Sequence, residues 1–139
     1  MKAVVFSGTT EGRLFSRQLA ALGAEVHVSV ATELGAEEQG EMQGITVHCG
    51  RLTPEQMQPL LRGAALCIDA THPYAVDATK NIVLACRACG IEYHRLLRAE
   101  SPLPAGSMVF HSAAHAAEFL AGTQGNILLA TGAKEMPVF

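Results

Sequence analysis

The chain has 139 residues, 49% hydrophobic and 17% charged, with ten Lys+Arg against thirteen Asp+Glu for a net charge of −3. That length fits one domain, and the apolar share excludes disorder as a description of the whole chain. No basic run, no Trp and 5% aromatic residues argue against a nucleic-acid partner, and no stretch reaches the ~18 consecutive apolar residues of a membrane span.

The chain opens on Ala3-Val4-Val5-Phe6, read as a first strand. Polar Ser7-Gly8-Thr9-Thr10-Glu11 interrupts it well short of the roughly 7–15 apolar residues of a secretory h-region, so the protein is read as cytoplasmic. A helix follows over Glu11 to Leu22, with Leu14, Phe15, Leu19 and Leu22 at helical spacing and Gly23 just past its end. Val26 to Val30 reads as a second strand, followed by a short helix, and Ile45 to Val47 as a third. Thr53-Pro54-Glu55-Gln56 is a capping box with Pro at N1, opening a helix closed by Gly63. Leu66 to Ile68 is the fourth strand, and Tyr74 to Cys89 a helix ended by Gly90. Weaker strands are expected over Ile91 to Leu96 and Met108 to Phe110, a helix from Ser112 to about Ala121, and a last strand over Ile127 to Leu129. Continuous apolar strands alternating with amphipathic helices predict an α/β fold, a Rossmann-like, doubly wound, mainly parallel sheet with helices on both faces. The segment 97–107, with Pro102, Pro104 and Gly106, reads as a mobile loop or a subdomain joint within a single domain over 1–139.

Ligands of such sheets bind beyond the carboxyl ends of the strands, where four loops carry polar residues. The first, Gly8-Thr9-Thr10-Glu11-Gly12-Arg13, offers glycine turns, hydroxyls and helix N-terminal amides to a phosphate. It matches neither G-x-G-x-x-G nor a P-loop, so a plain strand-to-helix turn is the competing reading. Beyond the second strand, Ser29 and Thr32 stand where an acid would hold a ribose diol, with Glu33 slightly late. Small hydroxyls there, with Arg51 as counter-charge after the third strand, favour NADP over NAD. After the fourth strand come Asp69-Ala70-Thr71-His72-Pro73-Tyr74-Ala75. Asp69 either bonds neighbouring loop groups or serves the site directly, and His72 is either structural or a proton carrier. Lys134, in Thr131-Gly132-Ala133-Lys134-Glu135, is either a surface lysine or an anion partner.

Cys86 and Cys89 lie in the last turn of a helix, where the dipole opposes a thiolate, and are read as small core residues rather than a redox pair. With Cys49 and Cys67 they are expected to be buried thiols. No metal site is expected, and the five other histidines receive no role. A short-chain reductase would need a Tyr-x-x-x-Lys pair, which the sequence lacks.

The loop Asp69 to Ala75 resembles the signature of the precorrin-6A reductase family of corrin-ring biosynthesis. The stretches Gly8 to Arg13, Ser29 to Gly35, Gly50-Arg51-Leu52 and Thr131 to Glu135 fall, in order, where that family has its own motifs. The resemblance implies an NADPH-dependent reduction of a macrocyclic tetrapyrrole held between two Rossmann-like domains. It further implies that this chain supplies the N-terminal, cofactor-binding half, that a C-terminal domain is missing, and that the chain alone is inactive. Gly8 to Arg13 would then hold the pyrophosphate, and Ser29, Thr32 and Arg51 the ribose phosphate. Asp69, Thr71, His72 and Tyr74 would lie near nicotinamide and macrocycle, and Lys134 would meet a substrate carboxylate. Self-association through the face left uncovered is expected. A nucleotide-binding or regulatory module without chemistry is the alternative reading.

Overall fold

In a computed structural model, described over residues 1–98 and 102–139, the chain divides into two compact units, 1–99 and 100–139. The first unit runs β1 (Lys2–Phe6), α1 (Thr10–Ala21), β2 (Glu25–Val30), α2 (Glu33–Gln39), β3 (Ile45–Cys49), α3 (Pro54–Leu61), β4 (Leu66–Asp69), α4 (Val76–Cys89) and β5 (Tyr93–Arg95). The strands form one parallel sheet in the order β3-β2-β1-β4-β5.

The apolar runs make these strands because both faces of the sheet are covered. Val4, Phe6 and Cys67 pack against Met57 and Leu61 of α3 and Ile82, Ala85 and Cys86 of α4. On the other face Val5, Val26, Val28, Val30 and Ile68 meet Phe15 and Leu19 of α1 and Ala36 of α2. Successive side chains of a strand point to opposite faces, so neighbours such as Val4 and Val5 enter different layers. Helices on both faces of a parallel sheet make the fold a doubly wound α/β one.

The punctuation read from the sequence is present. Thr53 accepts from the Gln56 amide while the Gln56 side chain accepts from the Thr53 amide, completing the capping box. Gly90 ends α4 at φ 65°, a left-handed position that a side chain would strain. Cys67 and Cys86 are buried, and burial pushes both thiols up. Cys49, expected to be buried, is exposed at the end of the edge strand β3.

The second unit differs from expectation. It contains α5 (Ala113–Ala121), capped by Ser112, and a 3₁₀ turn over Met136–Val138. The expected strands at Met108 to Phe110 and Ile127 to Leu129 are irregular, with Val109 69% and Leu128 93% exposed. A three-residue apolar run supplies a strand's side chains but not a hydrogen-bonding partner, and neither run has one among the described residues. Of the expected joint at 97–107, residues 99–101 lie outside the described residues.

Candidate functional site

Between β1 and β4 the chain order of the sheet reverses, which is where the loops at the carboxyl edge diverge and leave a crevice. A cleft of about 320 Å³ lies there. Its walls come from the β1–α1 loop, the end of β2 with α2, and the β4–α4 loop. Among the expected site residues, Gly8, Thr9, Arg13, Thr32, Thr71 and His72 line it.

Each wall is fixed by local chemistry. Thr9 is the N-cap of α1: its hydroxyl accepts from the Gly12 amide at 3.1 Å and donates to the Ala70 carbonyl at 3.0 Å. One side chain thereby caps a helix and ties the first loop to the fourth. Gly12 permits this closeness, because a Cβ there would lie 2.8 Å from both Ala70 Cβ and Ser7 Oγ. A side chain at Gly8 would meet only Thr71 Cα, at 3.9 Å, and would stand in the cleft instead. Thr32 repeats the capping pattern on α2, accepting from Gly35 at 3.1 Å. Two guanidiniums of α1 hold the far end of α2: Arg13 donates to the Glu38 carbonyl at 3.3 Å and Arg17 to the Gln39 carbonyl at 2.7 Å.

Asp69 ends β4 fully buried, beneath the cleft rather than on its wall. Its Oδ1 accepts from the Thr71 amide at 3.0 Å and the Thr71 hydroxyl at 2.7 Å. Its Oδ2 accepts from Thr79 at 2.9 Å and from the Tyr93 phenol at 3.0 Å. Arg95, register partner of Asp69 on β5, forms an ion pair with Oδ1 and donates to the Thr71 carbonyl at 3.0 Å. Burial, then the adjoining Asp69 carboxylate, pushes the Tyr93 phenol up to about 12. The network leaves both carboxylate oxygens occupied and fixes the backbone of the fourth loop.

Beyond Thr71 the loop turns outward. His72 is exposed; its Nδ1 accepts from the Tyr74 amide at 3.3 Å, and the two rings meet edge-on at 4.9 Å. That bond assigns the proton of the neutral imidazole to Nε2. Tyr74 is 88% exposed.

The remaining expected residues lie elsewhere. Ser29 is buried within β2, its carbonyl accepting from Ser7, and Arg51 is exposed beyond β3; neither lines the cleft. Thr10 opens α1 at the surface, and Glu11 in its first turn lies 3.8 Å from Arg98. Lys134 is exposed in the second unit.

Sequence reasoning missed Arg95 and Gln39, and a pair of histidines. His27 and His48 stack on neighbouring strands with ring nitrogens 3.0 Å apart, and His27 also meets Glu25. Burial, then the neighbouring His27, holds His48 below the usual imidazole range. These three residues lie outside the cleft.

Comparison with known proteins agrees on one family. A family model described as "Precorrin-6x reductase CbiJ/CobK" matches residues 2–139. Cobalt-precorrin-6A reductase of Priestia megaterium is 33% identical over 98% of this chain and 54% of its own length. The enzyme of the same name from Salmonella typhimurium is 33% identical over 98% of this chain and 53% of its own. Among solved structures, one described as CobK precorrin-6A reductase superposes with a TM-score of 0.69 at 29% identity, covering 89% of this chain and 49% of that one. The chain thus spans about half the length of these relatives.

Proposed function

This chain belongs to the precorrin-6x reductase family, and we propose that it forms the cofactor-binding half of an NADPH-dependent reductase of a precorrin-6A-type tetrapyrrole in cobalamin biosynthesis. The observation that carries the reading is the cleft at the point of chain-order reversal, floored by a glycine turn and the N-terminus of α1.

The residues present fit a phosphorylated dinucleotide. Thr9 takes the Gly12 amide, but the Thr10 and Glu11 amides that open α1 have no acceptor within their own helix, and the open space above Gly8 lets a pyrophosphate approach them. Arg13, the only arginine or lysine lining the cleft among the described residues, supplies positive charge for a ribose phosphate on the wall it shares with Thr32. In this reading Arg13 replaces Arg51 as the counter-charge.

NADPH, when bound, supplies the hydride for reduction of the macrocycle. The chain's own residues orient and protonate. Thr9 locks the first and fourth loops together, so that the phosphate cradle and the His72 wall keep one spacing. Asp69 acts as a positioning residue: with Arg95 it fixes Thr71 at the lip of the cleft. As the imidazolium, with Nδ1 released from the Tyr74 amide, His72 gives its Nε2 proton to the substrate and returns to the neutral tautomer, and Tyr74 offers an exposed aromatic face to the substrate. Lys134 keeps the role that the resemblance gives it, a partner for a substrate carboxylate.

Calorimetric titration with NADPH, NADP⁺ and NADH tests the reading. The phosphorylated forms should bind at least about tenfold tighter than NADH, a difference of about 1.4 kcal/mol. Equal affinities would remove the NADPH preference, and no binding of any of the three would contradict a cofactor half.

A further inference from the structure

One side chain on the cleft wall is left unused by the fold. Gln39 closes α2, is 1% exposed and lines the cleft, yet neither its Nε2 nor its Oε1 has a hydrogen-bond partner among the described residues. Its backbone is not free to move, since Arg17 holds its carbonyl at 2.7 Å and α2 continues into Gly40 at φ 63°. A buried amide with both ends unpaired is costly, and such groups in folded proteins call for a specific explanation.

Resting on the dinucleotide reading above, we propose that Gln39 is a specificity-determining residue that reads the adenine edge of the cofactor. The unpaired set is one acceptor and one donor side by side. A phosphate is acceptor-only and would leave Oε1 unsatisfied. The adenine edge presents an exocyclic N–H beside a ring nitrogen, the complement that Gln and Asn side chains match with two hydrogen bonds. Oε1 accepts from the exocyclic amine, and Nε2 donates to the adjoining five-membered-ring nitrogen; with a carbonyl in place of the amine that edge presents two acceptors, which one amide cannot pair.

Position agrees with chemistry. With the pyrophosphate at the β1–α1 loop and His72 on the β4–α4 side, the wall made by β2 and α2 receives the adenosine end. Both amide atoms are buried in the unligated chain, so the proposed contact requires the side chain to turn into the cleft while Arg17 holds the backbone.

The test uses the full chain as wild type and as Gln39→Met, which has similar volume and no amide. The probes are NADPH and its hypoxanthine counterpart, in which a carbonyl replaces the exocyclic amine. Wild type should bind NADPH about tenfold tighter than the hypoxanthine form. Gln39→Met should bind both at the weaker level and, unligated, should melt no lower than wild type, because it buries no orphaned groups. Gln39→Leu serves as a second apolar replacement if the Met variant does not fold. Equal binding of the two probes by wild type overturns the proposal. So does a variant that keeps the full discrimination, or one that melts well below wild type with discrimination intact. If wild type binds neither probe, the dinucleotide reading itself falls, an outcome distinct from failure of Gln39 alone.

Discussion

Replacing Asp69 by alanine should cost the first unit a large part of its stability. The carboxylate is fully buried, and its Arg95 partner keeps only 18% side-chain exposure. Removing it leaves a guanidinium without a counter-charge, and deprives the Thr71 amide, the Thr79 hydroxyl and the Tyr93 phenol of their acceptor. Breaking a buried pair from one side costs about 3–5 kcal/mol, and the lost hydrogen bonds overlap with that figure rather than adding to it. Against a typical folding free energy of roughly 5–15 kcal/mol, this is a third or more of the total at the lower values. At an m-value of about 2 kcal/mol/M, a loss of about 4 kcal/mol lowers the urea midpoint by about 2 M. Asp69→Asn should cost less, because its amide oxygen still accepts from Thr71 and the two hydroxyls can rotate to accept from its NH₂. The double variant Asp69→Ala/Arg95→Met should lose clearly less than the two single losses summed. Urea unfolding followed by circular dichroism at neutral pH reads all five proteins: wild type, Asp69→Ala, Asp69→Asn, Arg95→Met and the double variant. An Asp69→Ala midpoint within experimental error of wild type, or strict additivity in the cycle, would refute the positioning role.

Two further outcomes follow from the same geometry. Gly12→Ala gains about 1 kcal/mol of helix propensity but sets a Cβ 2.8 Å from Ala70 and Ser7, and overpacking of that kind costs about 1–3 kcal/mol. The variant should melt lower and bind NADPH more weakly, since α1 must retreat from the fourth loop; an unchanged melting point and affinity would contradict the close packing. The Tyr93 phenol, raised from 10.0 to about 12, favours the neutral form in the folded state. Its contribution is therefore complete below pH 10 and is lost as pH rises toward 12. An ultraviolet absorbance titration should show a late component that Tyr93→Phe abolishes, and a Phe variant with the same late component would disprove the assignment.

Much of the first unit is legible in its sequence, for reasons that particular residues make plain. Ala3 to Phe6 is buried on both faces, so it reads as an unbroken apolar run, and Thr53 to Gln56 declares a helix start through side chains only three residues apart. The cleft loops are equally readable, because a parallel sheet sends its ligands to the carboxyl edge and the hydroxyls stand there. Contacts fixed by pairing register are not. Asp69 meets Arg95 only because β4 and β5 align those two positions, and nothing near either residue in the sequence announces it. Gln39 looks like the polar end of a short exposed helix, and nothing near it in the sequence announces its burial or that Arg17 of α1 holds its carbonyl. Spacing along the chain points to Ser29 and Arg51, but a cleft is lined by direction: Ser29 is buried within the sheet and Arg51 lies past the edge strand. The runs at Met108 and Ile127 have strand composition without a pairing partner among the described residues.

Amide chemical-shift mapping of the isotope-labelled chain during titration with NADPH tests most directly the proposal that a phosphorylated dinucleotide binds in the cleft between the first, second and fourth loops. The largest shifts are expected at Gly8, Thr9, Thr32, Gly35, Thr71 and His72, all on the cleft wall. Shifts confined to α3, to the outer face of α4 or to residues 102–139 would contradict it, as would a spectrum that NADPH leaves unchanged.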